Sequence, residues 1–111
     1  MKREEKKYLF DILESIEAIE SYLENVLTYQ AFLNNSMLQD AITRRLEIIG
    51  EATIQLLKLN QELNITDNRK IKGLRNRIAH EYDMIKTSEI WVIIKRSLPV
   101  LKHEVKKYLE S

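Results

Sequence analysis

A histidine, two arginines and a tyrosine fall within eight residues in the segment Gly73-Leu74-Arg75-Asn76-Arg77-Ile78-Ala79-His80-Glu81-Tyr82. Histidine has an ordinary pKa of ~6.5, so it can both take and give a proton at neutral pH. Arginine presents a planar fork of donors that matches phosphate oxygens and never loses its charge. Together these groups suit phosphodiester chemistry. On an ideal helix Arg75 and Tyr82 stand about 20° apart, Arg77 and His80 about 60°, and Arg75 and His80 about 140°. Arg75 and His80 therefore do not share a narrow face. Three arrangements would unite them: Arg75 reaches around the helix, the helix unwinds near His80, or a symmetry mate brings a second copy of each group to one cleft. Metal chemistry has weaker support, because no two histidines stand at ligand spacing and His80 with Asp83 is an isolated pair.

The segment before His80 is strongly basic. Arg69, Lys70, Lys72, Arg75 and Arg77 occur with no intervening acid, near the start of a helix whose macrodipole they oppose, so local helix stability does not explain them. Residues 1–68 hold 7 Lys/Arg against 12 Asp/Glu and residues 69–111 hold 11 against 5, so the net charge of +1 hides a dipolar chain. The basic half fits an anionic partner. Arg69, Lys70, Lys72 and Arg77 would supply sequence-independent attraction to nucleic-acid phosphates.

These groups must be carried by helices. With 111 residues, 44% hydrophobic, only two Gly and one Pro, the chain reads as one small domain over residues 1–111, all-α, an antiparallel bundle of four to five helices. Apolar residues at intervals of three and four predict a first long helix from Glu4 to about Leu33, with Val26 and Leu27 on its apolar stripe. After Asn34-Asn35-Ser36, Ser36 with Gln39 forms a capping-box pattern opening a second helix through Leu38 to Leu63. Its stripe is widened by Ile48, Ile54 and Leu57, which places it centrally or at a subunit contact. Asp67 or Thr66 caps a third helix through Ile71, Leu74, Ile78 and Tyr82. Thr87 caps a last helix, kinked by Pro99 near Arg96 to Leu98. Trp91 reads as core or interface, His103 as solvated, and Gly73 as a close helix approach, within the bundle or at the dimer contact. Burying stripes this wide in so short a chain favours a homodimer. The lack of cysteine suits a reducing cytoplasm, and no run approaches the ~20 apolar residues that a membrane span needs.

Arg75-Asn76 and then His80-Glu81-Tyr82, with four residues between the arginine and the histidine, resemble the arginine, polar residue, x3, histidine, x, tyrosine signature of HEPN domains, specifically the HepT-like toxins. Arg45-Leu46-Glu47-Ile48-Ile49-Gly50-Glu51-Ala52 resembles a second stretch of that family, and Ser97-Leu98-Pro99 resembles its kinked last helix. The resemblance implies a HEPN-like bundle acting as a homodimeric, metal-independent endoribonuclease with no cofactor, Arg75 and His80 being catalytic at the dimer cleft and Asn76 supporting them. It also implies pairing with a minimal nucleotidyltransferase antitoxin, MntA, which adenylylates the tyrosine of the motif, here Tyr82. One departure stands out: relatives often carry a proline-tryptophan pair shortly before the motif, where this chain has Asn68-Arg69-Lys70.

The substrate expected is single-stranded RNA, since in-line attack by a 2′-OH needs a backbone free to leave A-form geometry. His80 would take the 2′-OH proton or protonate the 5′-oxygen, and Arg75 would stabilise the phosphate. Blander roles are a terminal histidine bonded to a carbonyl, an intersubunit ion pair of Arg75 with Glu47 or Glu51, and a Tyr82 at the bundle edge with a solvated hydroxyl. The alternative function is a non-catalytic helical partner that binds nucleotide or serves as scaffold and substrate of the nucleotidyltransferase.

Overall fold

A computed structural model describes all 111 residues as an all-α bundle without strands. Its helices are α1 (Arg3–Tyr22), α2 (Tyr29–Leu33), α3 (Ser36–Leu59), α4 (Asn68–His80), α5 (Thr87–Val92) and α6 (Leu98–Glu110), with a π-helical turn over Ile93–Ser97 joining α5 to α6. The long α3 is central, packed on α1 and on α4, while α6 lies against α1. Neighbours run antiparallel: Asp40 near the start of α3 meets Tyr82 beyond the end of α4, and Gly50 farther along α3 meets Arg75 and Ile71. The core is the apolar stripe of each helix, with Leu9, Ile12, Ile16 and Ile19 of α1 facing Ile42, Leu46, Ile49 and Leu56 of α3. Leu98, Leu101 and Val105 of α6 and Ile71 and Leu74 of α4 close it.

The expected first helix is two. It stops at Tyr22, and Thr28 restarts the chain by accepting the Ala31 N–H on its hydroxyl at 3.1 Å. A straight continuation would carry Phe32 about 15 Å past Tyr22. The turn instead buries Phe32 completely and sets it 5.1 Å from the Trp91 ring. Val26 keeps partial core contact, but Leu27 is 83% exposed and leaves the stripe assigned to it.

Capping also differs from the sequence pattern. Asn35, not Ser36, caps α3, its side chain accepting the Leu38 N–H at 3.0 Å. Gln39 does not close a box; its amide donates to the Phe32 and Leu33 carbonyls, both at 2.9 Å, satisfying the end of α2. Helix α3 ends at Leu59, so Leu63 lies in the following turn. Asp67 takes the capping position of α4 without a side-chain bond, and Thr66 is turned instead to Glu104, its hydroxyl donating at 2.6 Å. Lys86 rather than Thr87 precedes α5. The irregularity at Pro99 falls where expected: the helical path from Thr87 to Glu110 is continuous but widens to π geometry over Ile93–Ser97, just before the ring and missing N–H of Pro99, and tightens again as α6 from Leu98.

Candidate active site

The site begins with a glycine. Gly50 is buried on α3, and a β-carbon there would overlap the Arg75 β-carbon and come within 3.1 Å of the Ile71 carbonyl oxygen. Only the absence of that carbon lets α3 and α4 approach so closely. Gly73 is different: within the chain a β-carbon on it would meet nothing within 4 Å, so the close helix approach inside the bundle is at Gly50.

The contact fixes the stem of Arg75, and polar partners fix its head. Its Nη2 lies 3.0 Å from Glu51 Oε2, and its Nη1 donates to Asn76 Oδ1 at 3.2 Å. The pair with Glu51 is formed within one chain, whereas the sequence reading set it between subunits; Glu47 is held by Arg44 at 2.9 Å. The Arg75 Nε is buried and has no hydrogen-bond partner. Around this head runs an open groove of about 330 Å³ bounded by α1, α3 and α4, with Lys7, Tyr8, Arg44, Glu47 and Glu51 on its walls. Asn76 thus touches Arg75 directly.

His80 is the last residue of α4. The helix stops there because Glu81 leaves helical geometry, at φ −140° and ψ 39°. The imidazole is exposed, and it lies outside the groove that holds Arg75. Five helical positions separate the two residues, about 7.5 Å along the axis and 140° around it. The two residues therefore leave α4 on different faces.

Tyr82 falls beyond the helix, contrary to the expected register, in a short 3-10 turn over Tyr82–Met84. At the bundle edge, where Tyr82 stays 49% exposed, its hydroxyl donates to Asp40 Oδ1 at 2.9 Å. That bond, then partial burial and the Asp40 charge, hold the phenol above its usual pKa.

The cations divide. Arg69 and Lys70 are exposed on the first turn of α4. Lys72 borders a groove with Leu57 and Lys58, while Lys70 borders another with Glu89 and Arg96, so the four basic residues do not form one patch. Arg77 is committed to an ion pair with Glu89 of α5, which raises its pKa. No cluster of three His, Asp or Glu side chains is placed to hold a metal ion. His103 is exposed as expected, and Trp91 is half-buried between Phe32, Tyr29 and the Lys95 ammonium. Sequence reasoning passed over Asp40, Glu89 and the packing of Gly50, since no local pattern joins them to their partners.

Residues 12–108 match the family model described as "Ribonuclease HepT-like". The chain belongs to the HepT-like ribonuclease family. Among HepT-like relatives, "Probable ribonuclease HepT" of Thermococcus cleftensis is 33% identical over 111 residues, covering 96% of this chain and 97% of its own. "Putative RNase MJ1380" of Methanocaldococcus jannaschii is 35% identical over 105 residues, covering 94% and 95%. "Gamma-glutamylcyclotransferase and putative RNase MJ0434" of the same organism is 35% identical over 112 residues, covering all of this chain; the chain spans about half the length of that relative. No solved structure matches. The HepT-like assignment makes ribonuclease the enzyme class of this chain and agrees with the all-α HEPN-like bundle.

Proposed function

We propose that this HepT-like protein is a metal-independent endoribonuclease toxin that cleaves single-stranded RNA with Arg75 and His80, in a cleft completed by a second copy of the chain. The observation that carries this reading is the state of the two side chains: Arg75 is anchored in a groove with one buried N–H unpartnered, and His80 is exposed at a helix end, beyond that groove. A two-fold contact would resolve their separation by pairing the Arg75 of one copy with the His80 of the other. Exposed apolar side chains, Phe10, Met37 and Met84 among them, offer surface for such a contact.

In the proposed step a histidine takes the 2′-OH proton, the 2′-oxygen attacks phosphorus, and the P–O5′ bond breaks. A proton passes to the departing 5′-oxygen, leaving a 2′,3′-cyclic phosphate. Arg75 stabilises the charge that builds on the phosphoryl oxygens, with Asn76 holding its Nη1. Arg69, Lys70 and Lys72 attract the RNA backbone; Arg77 joins them only if RNA displaces Glu89.

Regulation in this reading comes from a cognate MntA-like nucleotidyltransferase antitoxin acting in the cytoplasm on the single domain of residues 1–111. The Tyr82 oxygen attacks the α-phosphorus of ATP, a new O–P bond forms, pyrophosphate leaves, and the phenolic proton goes to solvent. The exposure of Tyr82, at 49%, supports access by such a partner. No helix is long and apolar enough to cross a membrane.

The test is cleavage of end-labelled single-stranded RNA in excess EDTA by wild-type, His80→Ala and Arg75→Ala proteins. The expected result is a cyclic phosphate end from the wild type and loss of cleavage in both variants. Equal activity in all three would remove both residues from the mechanism and leave the nucleotidyltransferase-substrate reading in front.

A further inference from the structure

The segment between α4 and α5 is tied on both sides. Arg77, one turn before His80, pairs with Glu89 of α5, and Tyr82, two residues after it, reaches across to Asp40 of α3. The turn itself is closed only by the Met84 N–H to the Glu81 carbonyl at 2.9 Å and the Ile85 N–H to the Tyr82 carbonyl at 3.2 Å. The polar link from this turn to α3 is therefore the bond between Tyr82 and Asp40, joining positions 42 apart in the chain. Thr43 lies one turn beyond Asp40 on α3, its hydroxyl buried without a hydrogen-bond partner. Tyr82 Oη thus ties the chain two residues after His80 to α3.

We propose that Asp40 is a positioning residue for His80, acting through a latch with the Tyr82 hydroxyl. This rests on the reading of His80 as catalytic and, for its regulatory consequence, on that of Tyr82 as the adenylylated residue. The latch needs a proton on Tyr82 Oη to donate and an oxygen at position 40 to accept. An adenylylated Tyr82 has no such proton and sets a phosphodiester anion against the Asp40 carboxylate, so like charges meet where a hydrogen bond stood. Modification then stops cleavage by releasing the helix end that carries His80, in addition to any obstruction by the added group. A displacement of about 1 Å at a reacting group is enough to cost a large part of the rate.

The experiment measures kcat and KM on single-stranded RNA for unmodified wild-type, Asp40→Ala, Asp40→Asn, Tyr82→Phe and the Asp40→Ala/Tyr82→Phe double variant, with His80→Ala alongside. Asp40→Ala and Tyr82→Phe are each expected to lower kcat about tenfold while KM stays within about twofold, because positioning is lost and substrate binding is not. The double variant should be no slower than either single one, since both remove the same bond. Asp40→Asn keeps an accepting oxygen and should retain most of the rate, a rescue that a role resting on charge alone would not give. Wild-type kcat in Asp40→Ala or in Tyr82→Phe, additive losses in the double variant, or an Asp40→Asn as slow as Asp40→Ala each overturn the latch. If His80→Ala cleaves at the wild-type rate, the catalytic reading itself fails. If His80→Ala is inactive while the Asp40 and Tyr82 variants are not impaired, only the latch does.

Discussion

Gly50 of α3 and Arg75 of α4 meet with no room for a β-carbon between them, so a residue without a side chain sets the place of the cation that the proposed chemistry needs. The contact also brings Glu51, the next residue of α3, within 3.0 Å of the Arg75 guanidinium.

Substituting the two glycines should therefore have opposite effects. Gly50→Ala adds a carbon where Arg75 already stands and is expected to destabilise the fold by about 1–3 kcal/mol despite the better helix propensity of alanine. Gly73→Ala meets open space within a helix and should stabilise by about 0.5–1 kcal/mol. Urea denaturation of both variants checks the pair, and a Gly50→Ala protein as stable as the wild type would contradict the packing described.

Arg75→Ala should separate activity from stability. Its ion pair with Glu51 is partly solvated, the two side chains being 30% and 46% exposed, so the loss in folding stability should stay within about 1 kcal/mol. Cleavage of single-stranded RNA should fall by about 100-fold or more if the guanidinium stabilises the reacting phosphate. Parallel thermal melts and rate measurements give the answer; equal modest losses in both would make Arg75 a structural residue.

The Tyr82 phenol should titrate late. Its raised pKa means that the folded chain holds the proton more tightly than the unfolded one. The stabilisation is therefore complete below the ordinary phenol pKa of ~10 and is lost as pH rises through the higher folded value. A difference absorbance titration of wild type against Tyr82→Phe should show a phenolate midpoint above the ordinary range, and Asp40→Asn should bring it down. A midpoint at or below the ordinary value in the wild type would refute the hydrogen bond to Asp40.

The basic residues should also sort by their partners. Arg69→Ala and Lys70→Ala should weaken RNA binding across sequences and each reduce the salt slope of log Kd by about one, without unfolding the chain. Arg77→Ala should instead loosen the tie between α4 and α5 and change the salt slope little, since its charge is already matched by Glu89. Binding isotherms at several salt concentrations distinguish the two behaviours.

Sedimentation at micromolar concentration tests the shared cleft. A dimer is expected, and purely monomeric protein that still cleaves RNA would force Arg75 and His80 to act without a second copy. Mixing His80→Ala with Arg75→Ala chains sharpens this, because a mixed dimer regains one intact cleft and should recover part of the activity.

Much of the molecule was legible along the chain because helices are local objects. Apolar residues three and four apart located the stripes of α1, α3, α4 and α6, and Pro99 marked the widened turn before α6, since a missing N–H and a clashing ring act within four residues. The Arg75 to His80 spacing, with its companions at Arg45–Ala52 and Ser97–Pro99, was equally local and pointed to the family to which the chain belongs. What tertiary structure alone decided is every relation between distant positions. The chain breaks after Tyr22 because turning there buries Phe32 against Trp91, a gain that no window around residue 25 contains. Asn35 and Ser36 were both able caps, and the one whose side chain reached a free N–H took the role. Gly50 and Gly73 look alike in sequence, and only the crossing of α3 with α4 makes one indispensable and leaves the other free. Asp40 acquires its bond to Tyr82 for the same reason: periodicity specifies which face of a helix is buried, but the packing of one helix on another chooses which polar groups at its edge come within hydrogen-bond reach.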